Sequence, residues 1–326
     1  MVILSIILPV YNVEQYIQRC INSIYTGVTV NLDNFEVIFV NDASPDKSRE
    51  IIENAQMYYR NIILINQENR KAGGARNTGI RAASGKYILF VDPDDTLEPN
   101  VANHFIPILE NEEVDVLMCD NNVHLQGRIY TDRYNNPENI MSGMEHFLRN
   151  RVTWSPCISF YKRNYLLNKN LFFAENVSFE DVDWVIKTQI LANTIKCLPV
   201  VIYNYYQNPT SQTRTNPSYK KVHDWFLMGK RILDFTPPRQ IVDNQCSIRI
   251  KNHAYLVFKR GIRSSLFIST VERYELFRKF IYKENFGHCK ILNLISYFPC
   301  IMSYLLTLLF PAVFIAKKIR DRQEYK

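Results

Sequence analysis

Two hydrophobic periods alternate along the first 120 residues. Ile3–Pro9 is a short β-branched run that stops at a proline. Val13–Tyr25 then places apolar side chains at Val13, Tyr16, Ile17, Cys20, Ile21 and Ile24, the spacing of one helix face. Phe35–Val40 reads as a second buried strand, and Asp46 and Ser48 are candidate caps for a helix running to about Tyr58. Ile62–Ile65 is a third strand and Ala72–Ala83 a third helix. Lys86–Val91 is a fourth strand, followed after Pro99 by a helix to about Glu110 and a strand over Val114–Cys119. Near-continuous apolar strands between amphipathic helices predict an α/β fold whose parallel sheet is covered on both faces. Ligands on such sheets bind at the carboxyl ends of the strands.

Further on the pattern is mixed. Asn121–Tyr130 predicts a hairpin turning at Gln126-Gly127, Ile158–Tyr161 a strand, Glu180–Ala192 a helix and Val200–Tyr206 a strand. From Ser218 the reading is helical, with basic amphipathic stretches at Tyr219–Leu233, Arg239–Ile262 and Val271–Tyr282. The expected division is therefore an α/β domain over 1–215 and a basic helical region over 216–326. The domain itself divides into a regularly alternating half, about 1–120, and a mixed half, about 121–215.

Charge sharpens this division. Residues 1–210 carry 18 Lys and Arg against 24 Asp and Glu, whereas residues 211–326 carry 21 against 8. Such asymmetry fits a second part that faces an anionic surface, or else a solvated basic helical face. Ile291–Ala316 contains no charged residue, is interrupted by Pro299 and Pro311, and is followed by Lys317, Lys318, Arg320 and Arg322. A full span needs about 20 apolar residues. A single span would place one basic flank outside the cytosol, against the positive-inside tendency. The expectation is a segment that lies in, or dips into, one leaflet at the cytoplasmic face; the alternative is a buried helix hairpin. The seven cysteines are scattered without a C-x-x-C pair, which fits a reducing compartment rather than a disulfide framework or a zinc site. Met1 leads straight into a strand-like run, so no secretory leader is expected.

Polar clusters follow the apolar strands. Strand one ends in Pro9-Val10-Tyr11-Asn12 with Glu14 close behind, and strand two in Asn41-Asp42-Ala43-Ser44-Pro45-Asp46. The third helix opens with Ala72-Gly73-Gly74-Ala75-Arg76-Asn77, and strand four ends in Asp92-Pro93-Asp94-Asp95. Three carboxylates within four residues repel one another unless a cation or hydrogen bonds compensate. Hard oxygen ligands suit Mg²⁺ or Mn²⁺ shared with substrate phosphates. The plain alternative is an acidic turn in which Asp95 or Thr96 caps the next helix. Asp42 can accept the imide N–H of a uracil, or cap the helix near Asp46. Arg76 behind a glycine pair at a helix N-terminus makes an anion site suited to a diphosphate. No G-x-G-x-x-G fingerprint occurs, which argues against a dinucleotide-binding domain. Glu180-Asp181 opens a helix, where acidic residues are favoured in any case. Zinc-finger and RNA-recognition signatures are absent, so nucleic acid is not an expected partner.

In residue type, order and spacing, Ser5–Asn12, Val40–Ser44, Gly73–Gly79 and Phe90–Asp95 resemble glycosyltransferase family 2. The likeness is specific over about 3–120 and looser to Ser211, through Phe172–Trp184 and Tyr203–Ser211. It implies a GT-A fold, Rossmann-like and mainly parallel, and inverting transfer from a nucleotide-diphosphate sugar, most often UDP-linked. Pro9, Tyr11 and Glu14 would line the nucleotide pocket. Asp42 would hold the base, and Arg76 the base or diphosphate. Asp92 and Asp94 would be the D-x-D positions that contact ribose and metal, Asp181 the general base, and Trp154 and Glu180 acceptor neighbours. In two places the chain departs from the family's pattern. Its usual Asp-Asp-Gly-Ser reads Asn41-Asp42-Ala43-Ser44, and Gln207-Asn208 stands where many relatives carry a basic residue. A basic half and an apolar tail suggest an acceptor held at the membrane, plausibly a polyprenyl-diphosphate-linked saccharide used for surface polysaccharide. The rival readings are a nucleotidyltransferase, which would prefer a Gly-rich, Lys- or Arg-containing loop after strand one, and an inactive carbohydrate-binding scaffold, which would not need its acidic residues.

Overall fold

The computed structural model describes residues 1–134, 139–208, 217–238, 244–282, 290–303 and 305–306. By contacts the chain divides into two compact units, Met1–Gln212 with Pro237–Cys246, and Thr213–Thr236 with Ser247–Lys326.

The first unit begins as the hydrophobic periods dictate. β1 (Leu4–Val10), α1 (Ile17–Tyr25), β2 (Phe35–Asp42), α2 (Ser48–Gln56), β3 (Ile62–Gln67), α3 (Lys71–Ala82) and β4 (Tyr87–Phe90) follow one another. Next come the short β5 (Thr96–Leu97), α4 (Val101–Asn111) and the hairpin β6 (Val116–Leu125)–β7 (Arg128–Asp132). The unit ends with α5 (Gly143–Arg149), β8 (Ser159–Lys162), α6 (Arg163–Asn168), α7 (Glu180–Ile190) and β9 (Ile195–Tyr206). The hairpin turns at Gln126 and Gly127, both at positive φ (50° and 75°), as a two-residue turn between twisted strands requires.

The strands form one sheet in the order β3-β2-β1-β4-β8-β6-β9-β5, with β7 on β6. The first four pair in parallel and are buried along most of β1, β2 and β4. Beyond β4 the expected parallel sheet becomes mixed. β8 runs antiparallel to β4 and β6, and β5 antiparallel to β9.

The second unit contains α8 (Tyr219–Leu233), α9 (Asn244–Ser265), α10 (Thr270–Phe280) and α11 (Lys290–Tyr297). Phe226, Phe258, Leu276, Phe277, Leu292 and Ile295 pack as its core. Ser269 and Glu272 form a reciprocal capping box at the start of α10. Among the described residues no helix is long and apolar enough to cross a membrane. The expected leaflet segment 291–316 lies inside them only at 291–303 and 305–306, and the basic tail after it lies outside them.

Candidate active site

Parallel pairing puts the ends of β1, β2 and β4 on one edge of the sheet, and the polar clusters meet there. The loop after β1 is clipped to the loop after β2. Asn12 N–H donates to Ser44 Oγ at 2.8 Å, Glu14 N–H to Asp46 Oδ2 at 2.8 Å, and Lys47 N–H to Glu14 Oε2 at 2.9 Å. Glu14, expected in the nucleotide pocket, thus spends a carboxylate oxygen on tying these loops together. Pro9 is buried at the end of β1, and Tyr11 stands exposed beside it. Asp46 also accepts the Ser48 N–H at 3.1 Å, so Asp46 rather than Asp42 serves the start of α2.

Asp42 is buried. Its Oδ1 accepts from Gln67 Nε2 at 2.7 Å and from the Arg70 N–H at 2.8 Å. Its Oδ2 is buried with no hydrogen-bond partner. An orphaned carboxylate oxygen is costly, and a ligand N–H would satisfy it. Next to it, Asn41 Oδ1 accepts the Ser44 N–H at 3.0 Å, which holds the turn, and Ala43 sits at φ 57°.

The glycines at the start of α3 serve close packing. A Cβ on Gly73 would stand 2.2 Å from the Ala174 carbonyl oxygen, so this glycine lets the segment before α7 cross the helix. Asn77 fastens that crossing by exchanging hydrogen bonds with the Phe173 backbone, accepting at 2.8 Å and donating at 3.0 Å. Arg76 is likewise not turned to solvent. Its buried guanidinium donates from Nη2 to Asp92 Oδ1 at 2.7 Å and from Nη1 to Glu180 Oε1 at 2.5 Å. Burial by itself would lower its pKa, but the two carboxylates outweigh that and hold it above the ordinary value. The guanidinium thus bridges the end of β4 and the start of α7.

The three aspartates after β4 have separate fates. Asp92 is on Arg76. Asp94 receives Asn208 Nδ2 at 3.0 Å, and its carboxyl is pushed up by burial and by the neighbouring Asp92 charge. Asp95 is buried and caps no helix. It accepts the Tyr203 hydroxyl at 2.6 Å and the Tyr206 N–H at 2.7 Å, which staples the acidic turn to β9. The Tyr203 oxygen in turn accepts the Asp92 N–H at 3.2 Å. α4 starts instead from Asn100, at φ 65°. The structural role offered for Asp95 in the sequence, a helix cap, is thus replaced by a tie to β9.

α7 carries Glu180 and Asp181 in its first turn. Phe179 precedes them at φ 65°, a left-handed conformation uncommon for a bulky side chain. Trp184, one turn on, locks the helix from below. It stacks on Phe173 (centroids 4.1 Å apart), meets Phe90 edge-on and donates from Nε1 to the Leu171 carbonyl at 3.0 Å. Asp181 is half-buried. Its pKa is raised to about 7 by burial and by the Glu180 charge, with Arg76 pulling down and Asp92 pushing up. These electrostatic neighbours place Asp181 in the same acidic locus as Asp92. Trp154 is half-buried on the loop before β8. Among the described residues no three His, Cys, Asp or Glu side chains converge as a ready metal site. Asp92 and Asp94 supply two carboxylates, and the raised Asp94 is the kind of strained donor that a divalent cation relieves.

A family model described as Glycosyl transferase family 2 matches residues 5–177, which include every strand end named above. The chain belongs to that family. It is 32% identical over 233 residues to the uncharacterized glycosyltransferase EpsJ of Bacillus subtilis strain 168, a match covering 69% of this chain and 66% of that relative. With poly(ribitol-phosphate) beta-N-acetylglucosaminyltransferase TarS of Staphylococcus aureus strain MW2 it shares 27% identity over 239 residues, 70% of this chain and 39% of that protein. The matched region thus spans a little under two thirds of the first relative's length and well under half of the second's. A crystal structure of S. aureus TarS 1-349 in complex with UDP-GlcNAc superimposes with a TM-score of 0.65 at 21% identity, over 85% of this chain and 81% of that one. The likeness establishes a GT-A-like fold with a mixed sheet for this family 2 chain.

Proposed function

We propose that this family 2 protein is an inverting glycosyltransferase. It moves a sugar from a nucleotide-diphosphate donor, of the UDP class, to a hydroxyl of a saccharide acceptor. The observation that carries the reading is the gathering of Asp92, Arg76, Glu180 and Asp181 at the carboxyl edge of the sheet, close to an Asp42 whose Oδ2 lacks a partner. In this reading Asp42 takes an imide N–H of the base, with Pro9 and Tyr11 walling the pocket. Asp181 accepts the proton of the acceptor hydroxyl as it attacks C1, and attack opposite the leaving group inverts the anomeric centre. Asp92 and Asp94 would hold Mg²⁺ or Mn²⁺, whose chemistry is to neutralise the charge that grows on the departing diphosphate. Arg76 keeps Glu180 paired beside Asp181.

The relatives point to the setting. TarS is named for transfer onto poly(ribitol-phosphate), and another relative, 42% identical over 118 residues, is the Bacillus subtilis minor teichoic acid biosynthesis protein GgaB. A surface polysaccharide acceptor, polyprenyl-diphosphate-linked and met at the cytoplasmic face of the membrane, is consistent with 21 Lys and Arg against 8 acidic residues over 211–326. The exposed Leu294, Tyr297, Phe298, Ile301 and Leu305 add apolar surface in that region. The test is a transfer and hydrolysis screen over UDP- and GDP-sugars with membrane extract as acceptor. Sugar release or transfer from a UDP-sugar is the expected result. Nucleotidyl transfer from a nucleoside triphosphate, without sugar transfer, would replace this reading with the rival enzyme class.

A further inference from the structure

Two arginines flank the acidic turn after β4, and they differ in what they have left to give. Arg76 is buried, with both amino groups on carboxylates. Arg19, in the first turn of α1, is exposed on the other side of the turn. Its Nη2 donates to the Asp94 carbonyl oxygen at 2.6 Å, and its guanidinium carbon lies 4.0 Å from the centre of the Tyr206 ring. That single hydrogen bond uses one of the five N–H donors a guanidinium carries.

The platform beneath Arg19 is rigid. The Tyr206 N–H is bound to Asp95 Oδ1, and the His124 ring stacks on the Tyr206 ring with centroids 4.3 Å apart. His124 is fixed in turn by its Nε2 contact with Asn204 Oδ1 at 2.8 Å. Arg19 and His124 thus both pack against the Tyr206 ring. A guanidinium stacked on an aromatic face and pinned at one edge is oriented before any ligand arrives. Such a group beside Asp94 carries charge of the sign that a diphosphate needs where it must approach carboxylates.

We propose that Arg19 binds the diphosphate of the donor, with Tyr206 as the platform that holds its guanidinium over the acidic turn. The inference rests on the nucleotide-sugar reading above, and the two are separable by experiment. Binding of UDP and of uridine to the full chain is measured by calorimetry with Mg²⁺ or Mn²⁺ present, for the native protein, Arg19→Gln and Arg19→Lys. A charge-assisted hydrogen bond to phosphate predicts that Arg19→Gln weakens UDP about tenfold or more while uridine binding stays unchanged, and that Arg19→Lys recovers part of the loss. Unchanged UDP affinity in Arg19→Gln would overturn the proposal. So would an equal loss for UDP and uridine, because it would mean that Arg19 only braces the turn. A native protein that binds no UDP would instead remove the UDP-sugar reading, and this inference with it.

Discussion

Arg76 and Glu180, separated by 104 residues in sequence, meet through a 2.5 Å hydrogen bond between two buried side chains. The same guanidinium reaches Asp92, so the end of β4 and the first turn of α7 are one mechanical unit. Arg76→Met would strand Glu180 without its counter-charge. Losing one partner of a buried pair costs about 3–5 kcal/mol. Denaturant unfolding of this variant is expected to show a loss of that size, with Glu180→Gln losing less because Arg76 keeps Asp92.

Asp181→Asn is expected to abolish transfer and leave donor binding in place. The native carboxyl is raised to about 7 by burial and by Glu180, and only its ionised form takes a proton. Activity should therefore be present above pH 7 and fall as the pH drops through about 7. A pH–rate profile of donor turnover reads this directly, and near-native turnover by Asp181→Asn would remove the assignment.

Ala43 occupies a left-handed conformation, φ 57°, where the family pattern carries glycine. A Cβ in that region costs roughly 1–2 kcal/mol, offset in part by the greater freedom of glycine in the unfolded chain. Ala43→Gly should therefore raise stability by about 0.5–1 kcal/mol, seen as a higher denaturation midpoint. The donor pocket would keep its shape, because Asn41 still holds the turn.

Tyr203→Phe removes the hydroxyl that bonds both Asp95 Oδ2 and the Asp92 N–H. A buried polar partner lost in this way costs about 1–3 kcal/mol. The acidic turn would loosen from β9, and the expected signature is a raised metal requirement for activity alongside the stability loss. Excess EDTA should silence the native enzyme; full activity in EDTA would exclude Asp92 and Asp94 as metal ligands.

Membrane contact calls for a cut that leaves the described core of the helical unit in place. Leu292 and Ile295 belong to the core of the helical unit, so deleting 291–326 would damage that unit as well as any anchor. Deleting 307–326 removes the rest of the apolar run and the basic tail alone. Sedimentation with anionic lipid vesicles should fall for this variant, and unchanged partitioning would exclude the tail as the attachment.

The longer strands and helices were readable from the chain because their causes are local, whereas the short β5, α5 and α6 were not. β-branched runs bounded by polar residues made β1, β2 and β4, and Gln126-Gly127 made its hairpin. The clusters that gather at the sheet edge were readable too, since each directly follows a strand and parallel pairing aligns strand ends. What each polar side chain touches was decided by tertiary packing. Nothing near Arg76 in sequence says that its charge goes to Asp92 and Glu180 rather than to a ligand, or that Asp95 is buried under two tyrosines more than 100 positions away. Nor does it say that Glu14 ties loops or that Gly73 admits a carbonyl oxygen. Burial removes water, so a charged group must find its partner wherever the folded chain places one, and periodicity carries no record of contacts at that range.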